Sequence, residues 1–243
     1  MRYLITFSYD GSEFCGYQRQ PKKKTIQGEL ERALTEINNN VPVTIQASVR
    51  TDAKVHAICQ KAHFDIDVTI TKEKLKQALN GLISRAIHIN EVSIVDEDFH
   101  ARYHVTEKEY MYILNTGEYN PFERNYVNQY GYKLDVNKMK DAIVYLLGEH
   151  NFKSFSKADS IKDSYVRTIT MAYIETDKEK IIFHFKGDGF FQYMIRNMVG
   201  TLMEVGQGKR EPNEIVSILN AMDRRSAGRT ANPEGLYLVD VNY

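Results

Sequence analysis

Arg50, Thr51 and Asp52 put one guanidinium and one carboxylate two residues apart, at the end of a short apolar run and ahead of Ala53, Lys54, Val55 and His56. An ionised carboxylate in a reachable loop can attack an electrophilic carbon or remove a proton, and a nearby cation favours the charged form that either task needs. The triplet alone decides nothing, because an Asp where a strand meets a loop is commonly a turn former bonded to its own backbone. Two further residues strengthen the chemical reading. Arg196 lies in a stretch where Phe190, Phe191, Met194, Ile195, Met198, Val199, Leu202, Met203 and Val205 cover nearly every side of a helix, the mark of a buried one. An arginine there cannot shed its charge, so it either snorkels to the flank or faces a carboxylate, for which Asp52 is the expected partner. Tyr110, in an aromatic-rich strand with Tyr112, is either core packing or a phenol presented to the same acid.

Elements must carry these groups into place. Tyr3, Ile5 and Phe7 alternate with polar neighbours over Arg2 to Tyr9, a strand that turns at Asp10-Gly11. Ile26, Leu30, Ala33, Leu34 and Ile37 recur at helical spacing behind a cap at Thr25. Val43 to Val49 predicts a strand entering the Arg50-Thr51-Asp52 loop. The next strand carries Ile58, Gln60, Ala62, Phe64 and Ile66 on one face and Lys61, His63 and Asp65 on the other. A helix behind Thr71 and a strand over Ile87 to Val95 complete the order β-α-β-β-α-β. From Thr106 the order begins again: a strand through Leu114, a helix from Val136 to Leu147, two strands near 166–176 and 180–186, the apolar helix from Phe190 to Val205, a short helix after Pro212, and a closing strand at Leu236 to Tyr243. The expected fold is α+β: two tandem ferredoxin-like halves, residues 1–100 with the Asp loop and 101–243 with the Tyr strand and Arg helix, joined into an antiparallel sheet with a central cleft.

With 243 residues, 42% of them hydrophobic, the chain can bury a substantial core. Cys15 and Cys59 match no zinc spacing, and no leader or membrane span is legible, so a cytoplasmic protein is expected. The 32 basic and 32 acidic residues cancel, which argues against indiscriminate coating of nucleic acid. The cations nevertheless cluster: Arg19 with Lys22, Lys23 and Lys24; Arg50 with Lys54, Lys61 and the nearby His56; and Lys209, Arg210, Arg224, Arg225 and Arg229. Each cluster is either a solvated surface or part of a phosphate-binding groove. His100 and His104 lack the following Glu of a zinc hydrolase helix, and Gly206-Gln207-Gly208-Lys209 lacks the remainder of a phosphate loop. Lys186 to Phe191 has Asp188 where an RNA-recognition sheet needs an aromatic. Metal-dependent phosphotransfer is disfavoured by the scatter of the carboxylates.

Read together and in order, Tyr9 to Pro21, Thr25 to Leu34, Val49 to Ala57, Asp98 to Tyr103, Glu109 to Ile113, Phe190 to Gly208 and Glu234 to Tyr243 resemble the bacterial tRNA pseudouridine synthase A family. The resemblance implies isomerisation of uridine to pseudouridine in the anticodon stem-loop, a homodimer holding tRNA across both subunits, and no cofactor or metal. It assigns Asp52 as the nucleophile, Arg50 as the residue that displaces the target base, Tyr110 as the residue stacked on it, and Arg196 as the ion-pair partner of Asp52. The alternative is a paralogue of the same fold that binds or folds tRNA with weakened turnover. Three places depart from the pattern the resemblance implies. Val49 and Lys54 stand where the family usually has glycine, costing on the order of 1 kcal/mol wherever the loop needs a positive φ. Tyr17 stands where the family commonly has Trp.

Overall fold

The computed structural model describes residues 1–158 and 161–243, which fall into two compact units. The first comprises residues 1–106 and 237–243, the second 107–236.

In the first unit, β1 (Arg2–Tyr9) buries Tyr3, Ile5, Phe7 and Tyr9 on one face, as their alternation requires. It lies between β4 (Ile87–Ile94) and β3 (His56–Asp65), antiparallel to both. The short β2 (Gln46–Ala47) pairs with β3. The order β4-β1-β3-β2 is that of a split β-α-β unit, with α1 (Ile26–Ile37) and α2 (Lys72–Leu82) as its helices. Both start as expected: Thr25 and Thr71 accept hydrogen bonds from the backbone N–H groups of Gly28 and Lys74. Leu30, Ala33 and Leu34 of α1 and Leu75 and Leu79 of α2 are buried.

Two expectations change here. Val43 to Val49 forms a paired strand only at Gln46–Ala47, although Val43, Ile45 and Ala47 stay buried. Ile58 is 47% exposed, because the β1 to β3 register shifts between Phe7 and Tyr9 and alters which side chains of β3 face inward beyond that point.

In the second unit, β5 (Glu107–Asn115), β9 (Lys180–Gly187), β8 (Val166–Asp177) and β7 (Gly148–Asn151) lie side by side in that order, and β6 (Asn128–Gln129) pairs with β5. The relation of β5, β9 and β8 repeats that of β1, β3 and β2. The helix α3 (Val136–Ile143), capped by Asp135, packs against α4 (Met194–Gly206), and α5 (Glu214–Ala221) follows. The apolar helix therefore starts four residues later than its composition suggests, because Tyr193 holds a left-handed φ of 68° and interrupts the run after Phe190 and Phe191. The closing strand β10 (Leu236–Asn242) returns the chain to the first unit, where Tyr237 and Leu238 lie parallel to His56 and Ala57 of β3.

Candidate active site

The loop between β2 and β3 is held from below by a chain of polar contacts. Ser48 Oγ donates to Gln60 Oε1 at 2.7 Å, and Gln60 Nε2 donates to the Val49 carbonyl at 3.0 Å. The Tyr9 hydroxyl meets Thr51 Oγ1 at 2.7 Å, and burial pushes that phenol up to about 12, so it remains a neutral hydrogen-bonding group. Tyr17 N donates to the Thr51 carbonyl at 3.0 Å, and Val55 N closes a turn onto the Asp52 carbonyl at 3.2 Å. The β1 end, the segment after it and β3 thus all grip residues 48–55. Arg50 is exposed and Asp52 half-buried at the tip.

Two glycines, of which the sequence marked Gly11 only as part of a turn, make this grip possible. A Cβ at Gly11 would stand 2.0 Å from the Val55 carbonyl oxygen. One at Gly16, where φ is +94°, would meet the Thr51 oxygen and the Ala53 nitrogen at 3.2 Å. Of Val49 and Lys54, the two positions where the resemblance leads one to expect glycine, only Lys54 has a positive φ, at 66°. Val49 keeps an ordinary backbone. The strain of the substituted loop is therefore confined to one residue that is exposed and not β-branched.

The cations named from the sequence divide. Arg50, Lys54, Lys22 and Lys23 are exposed. Arg19 is exposed while its Nη1 lies 3.2 Å from Glu31. Lys24 pairs with Glu13 at 2.8 Å over the Phe14 ring, and its carbonyl accepts from Cys15 N, tying the basic loop to the segment that holds Thr51. Lys61 Nζ donates to the Val241 carbonyl of β10 at 2.6 Å.

His56 is a correction to the expected RNA contacts. It is 2% exposed, its Nδ1 accepts from Gly11 N at 3.1 Å and lies 3.3 Å from Asp10, and its ring stacks on Tyr237 at 4.7 Å. A side chain so enclosed braces the turn at Asp10-Gly11 against β3.

In the second unit, Arg196 is partly buried on α4. Its Nε donates to the Ala231 carbonyl at 2.7 Å, Ala231 N donates back to the Arg196 carbonyl at 3.0 Å, and the guanidinium lies 5.2 Å from the Tyr193 ring centre. Residues 227–232 press on α4 at Gly200, where a Cβ would stand 1.7 Å from the Arg229 carbonyl oxygen. Buried Asn197 anchors the same segment, accepting from Arg224 at 3.0 Å and Thr230 at 2.7 Å, while Thr201 accepts from Gly228 N. Arg224, whose cluster the sequence left as either solvated surface or part of a phosphate-binding groove, is thus structural; Arg210 and Arg225 are bound to Glu204 and Asp223. Tyr110 is buried on β5, its ring edge-on to Phe190 at 5.2 Å. Two residues along, Tyr112 donates to the Asn232 carbonyl at 2.8 Å, so β5 and Arg196 are fixed by one segment. Nothing in composition marks Asn197, Gly200 or Tyr193; only the segment crossing α4 reveals them.

His100 and His104 form a turn in which His104 N donates to the His100 carbonyl. Among the described residues no cluster of three or more His, Cys, Asp or Glu could hold a metal ion, and no helix is long and apolar enough to cross a membrane.

A family model described as tRNA pseudouridine synthase matches residues 5–104 and 142–243. The chain is 46% identical over 242 residues to the tRNA pseudouridine synthase A of Anoxybacillus flavithermus, covering all of this chain and 98% of that one. It is 45% identical to the protein of that name from Oceanobacillus iheyensis, covering 100% and 96%, and 44% identical to that of Listeria monocytogenes serotype 4b, covering 100% and 99%. Among solved structures, a Cbf5-Nop10-Gar1 complex aligns at 12% identity and a TM-score of 0.36, over 84% of this chain and 45% of that one, a likeness too low to bear on the fold.

Proposed function

The chain belongs to the tRNA pseudouridine synthase family, and from that premise we propose that it isomerises uridine to pseudouridine in the anticodon stem-loop of tRNA, with Asp52 as the nucleophile. The observation that carries this reading is the Arg50-Thr51-Asp52 loop, gripped from three sides yet presenting Arg50 and Asp52 at its tip.

The reaction breaks the bond from ribose C1′ to uracil N1 and forms one from C1′ to C5, with a proton lost from C5 and one gained at N1. Asp52 serves the first step, attacking the sugar or removing its proton. Tyr110 offers a flat face to the turned base and a hydroxyl oxygen to receive the C5 proton. Arg196 supplies the countercharge for Asp52. Arg50 fills the stack that the base vacates, offsetting an extrusion cost of a few kcal/mol. Arg19, Lys22, Lys23, Lys24 and Lys54 hold backbone phosphates, and the enzyme works in the cytoplasm as a homodimer without cofactor or metal.

Unmodified tRNA labelled with tritium at uridine C5 tests this. Release of tritium by the wild-type chain, lost in Asp52→Ala with tRNA affinity retained, is the expected result; no release with any tRNA overturns it.

A further inference from the structure

The second unit contains a groove of about 570 Å³, within the range of about 300–1,000 Å³ typical of ligand sites. It runs between β6, the C-terminal half of α4 and residues 229–232. Three features of its walls call for the same kind of ligand.

The first is a pair of amides. Gln129 Nε2 and Gln207 Oε1 are buried and have no hydrogen-bond partner among the described residues. Gln129 Oε1 already accepts from Asn115 at 2.8 Å and from Asn120 N at 3.0 Å, which leaves the amide nitrogen as the unused donor. Gln207 donates its nitrogen to the Tyr130 hydroxyl, leaving an acceptor. An unused amide donor from β6 and an unused amide acceptor from the end of α4 are the kinds of group that bond the edge of a nucleobase.

The second is a ring. Tyr132 is 71% exposed and stands edge-on to Tyr130 at 5.4 Å, an uncovered face of the kind on which bases stack. The third is charge. Lys209 and Arg229 are exposed at the rim, and the groove's one carboxylate, Glu204, is occupied by Arg210 at 2.6 Å and Arg229 N at 3.2 Å. A phosphate would meet two cations with the nearest acid already engaged.

We propose that this groove is a second nucleotide site, which holds one unpaired nucleotide of the bound RNA, distinct from the uridine that reacts. Tyr132 stacks on the base, Gln129 and Gln207 read its edge, and Lys209 and Arg229 take its phosphate. The choice of RNA as the source of the nucleotide rests on the proposed function; the nucleotide chemistry does not.

The test uses the full chain with an unmodified tRNA transcript, and reads affinity by fluorescence anisotropy at fixed salt alongside tritium release. Tyr132→Ala should weaken tRNA binding about 5- to 100-fold and raise KM, with kcat retained. Lys209→Ala should weaken binding and flatten its salt dependence. RNA carrying 4-thiouridine should crosslink to the peptide containing Tyr132. Unchanged affinity and KM in both variants overturns the proposal, and so does saturable binding of free UMP at the groove with tRNA affinity unaffected by Tyr132→Ala. If the wild-type chain binds tRNA but releases no tritium, the isomerase reading fails while loss of affinity in Tyr132→Ala still upholds the groove.

Discussion

Lys54 is the residue of the loop whose backbone conformation favours glycine. Its φ of 66° places a side chain where glycine carries no penalty, so Lys54→Gly should stabilise the protein by about 0.5–1 kcal/mol in urea unfolding while weakening tRNA binding slightly through the lost charge. Val49→Gly should do the reverse and destabilise by a similar amount, since an ordinary backbone gains only disorder from glycine. Both replacements were visible in the sequence; which one mattered depended on a dihedral angle set by the turn from Asp52 to Val55. His63 supplies the pH dependence. It is 5% exposed, its Nδ1 accepts from Ala101 N at 3.0 Å, and burial, with His100 and Arg2 nearby, lowers its pKa to about 4. Folding therefore favours the neutral ring: its contribution is fully present above the unfolded pKa near 6.5 and is lost as pH falls towards 4, with a slope of at most about 1.4 kcal/mol per pH unit. His63→Gln should flatten the fall in urea midpoint between those limits.

The helix α4 and the segment crossing it form the element on which Arg196 depends. Gly200→Ala would drive a methyl group into the Arg229 carbonyl, so the helix or residues 229–231 must move. We expect a destabilisation of about 1–3 kcal/mol and a fall in kcat, because Ala231 loses its hold on the guanidinium. Gly81→Ala in α2 is the matched control, with open space around its Cβ, and should stabilise by about 0.5–1 kcal/mol without altering turnover. Helix caps were readable because Thr25 and Thr71 act on their own next turn. The start of α4 was not, because the left-handed Tyr193 reflects the residues packed around it. The strand over Val43 to Val49 was overread for a related reason: Val43, Ile45 and Ala47 are buried in alternation, but backbone pairing is available only at Gln46–Ala47.

Over the whole molecule the charge sums to zero, so RNA attraction must come from local groups and not from net charge. Replacing Lys22 and Lys23 by Ala together should reduce the slope of log affinity against log salt by about 1–2, with little change in kcat for bound tRNA. An unchanged slope would remove the loop at Pro21 to Lys24 from the RNA-binding surface. Sedimentation of the purified chain tests the homodimer: a mass near 28.1 kDa at assay concentration would refute it.

The sequence by itself determined the alternation of β1, the caps of α1 and α2, the repeated order of elements and the Asp52 loop, because each follows from side chains acting on near neighbours or from an ordered set of motifs. It also identified Arg196 as a cation in an apolar helix. Tertiary structure alone decided that His56 and Arg224 are internal braces, that Gly11, Gly16 and Gly200 are bare because backbone from distant residues lies against them, and that β10 rejoins the first unit beside His56. Those outcomes depend on which remote segment occupies the adjacent space, a property set by packing and absent from local periodicity.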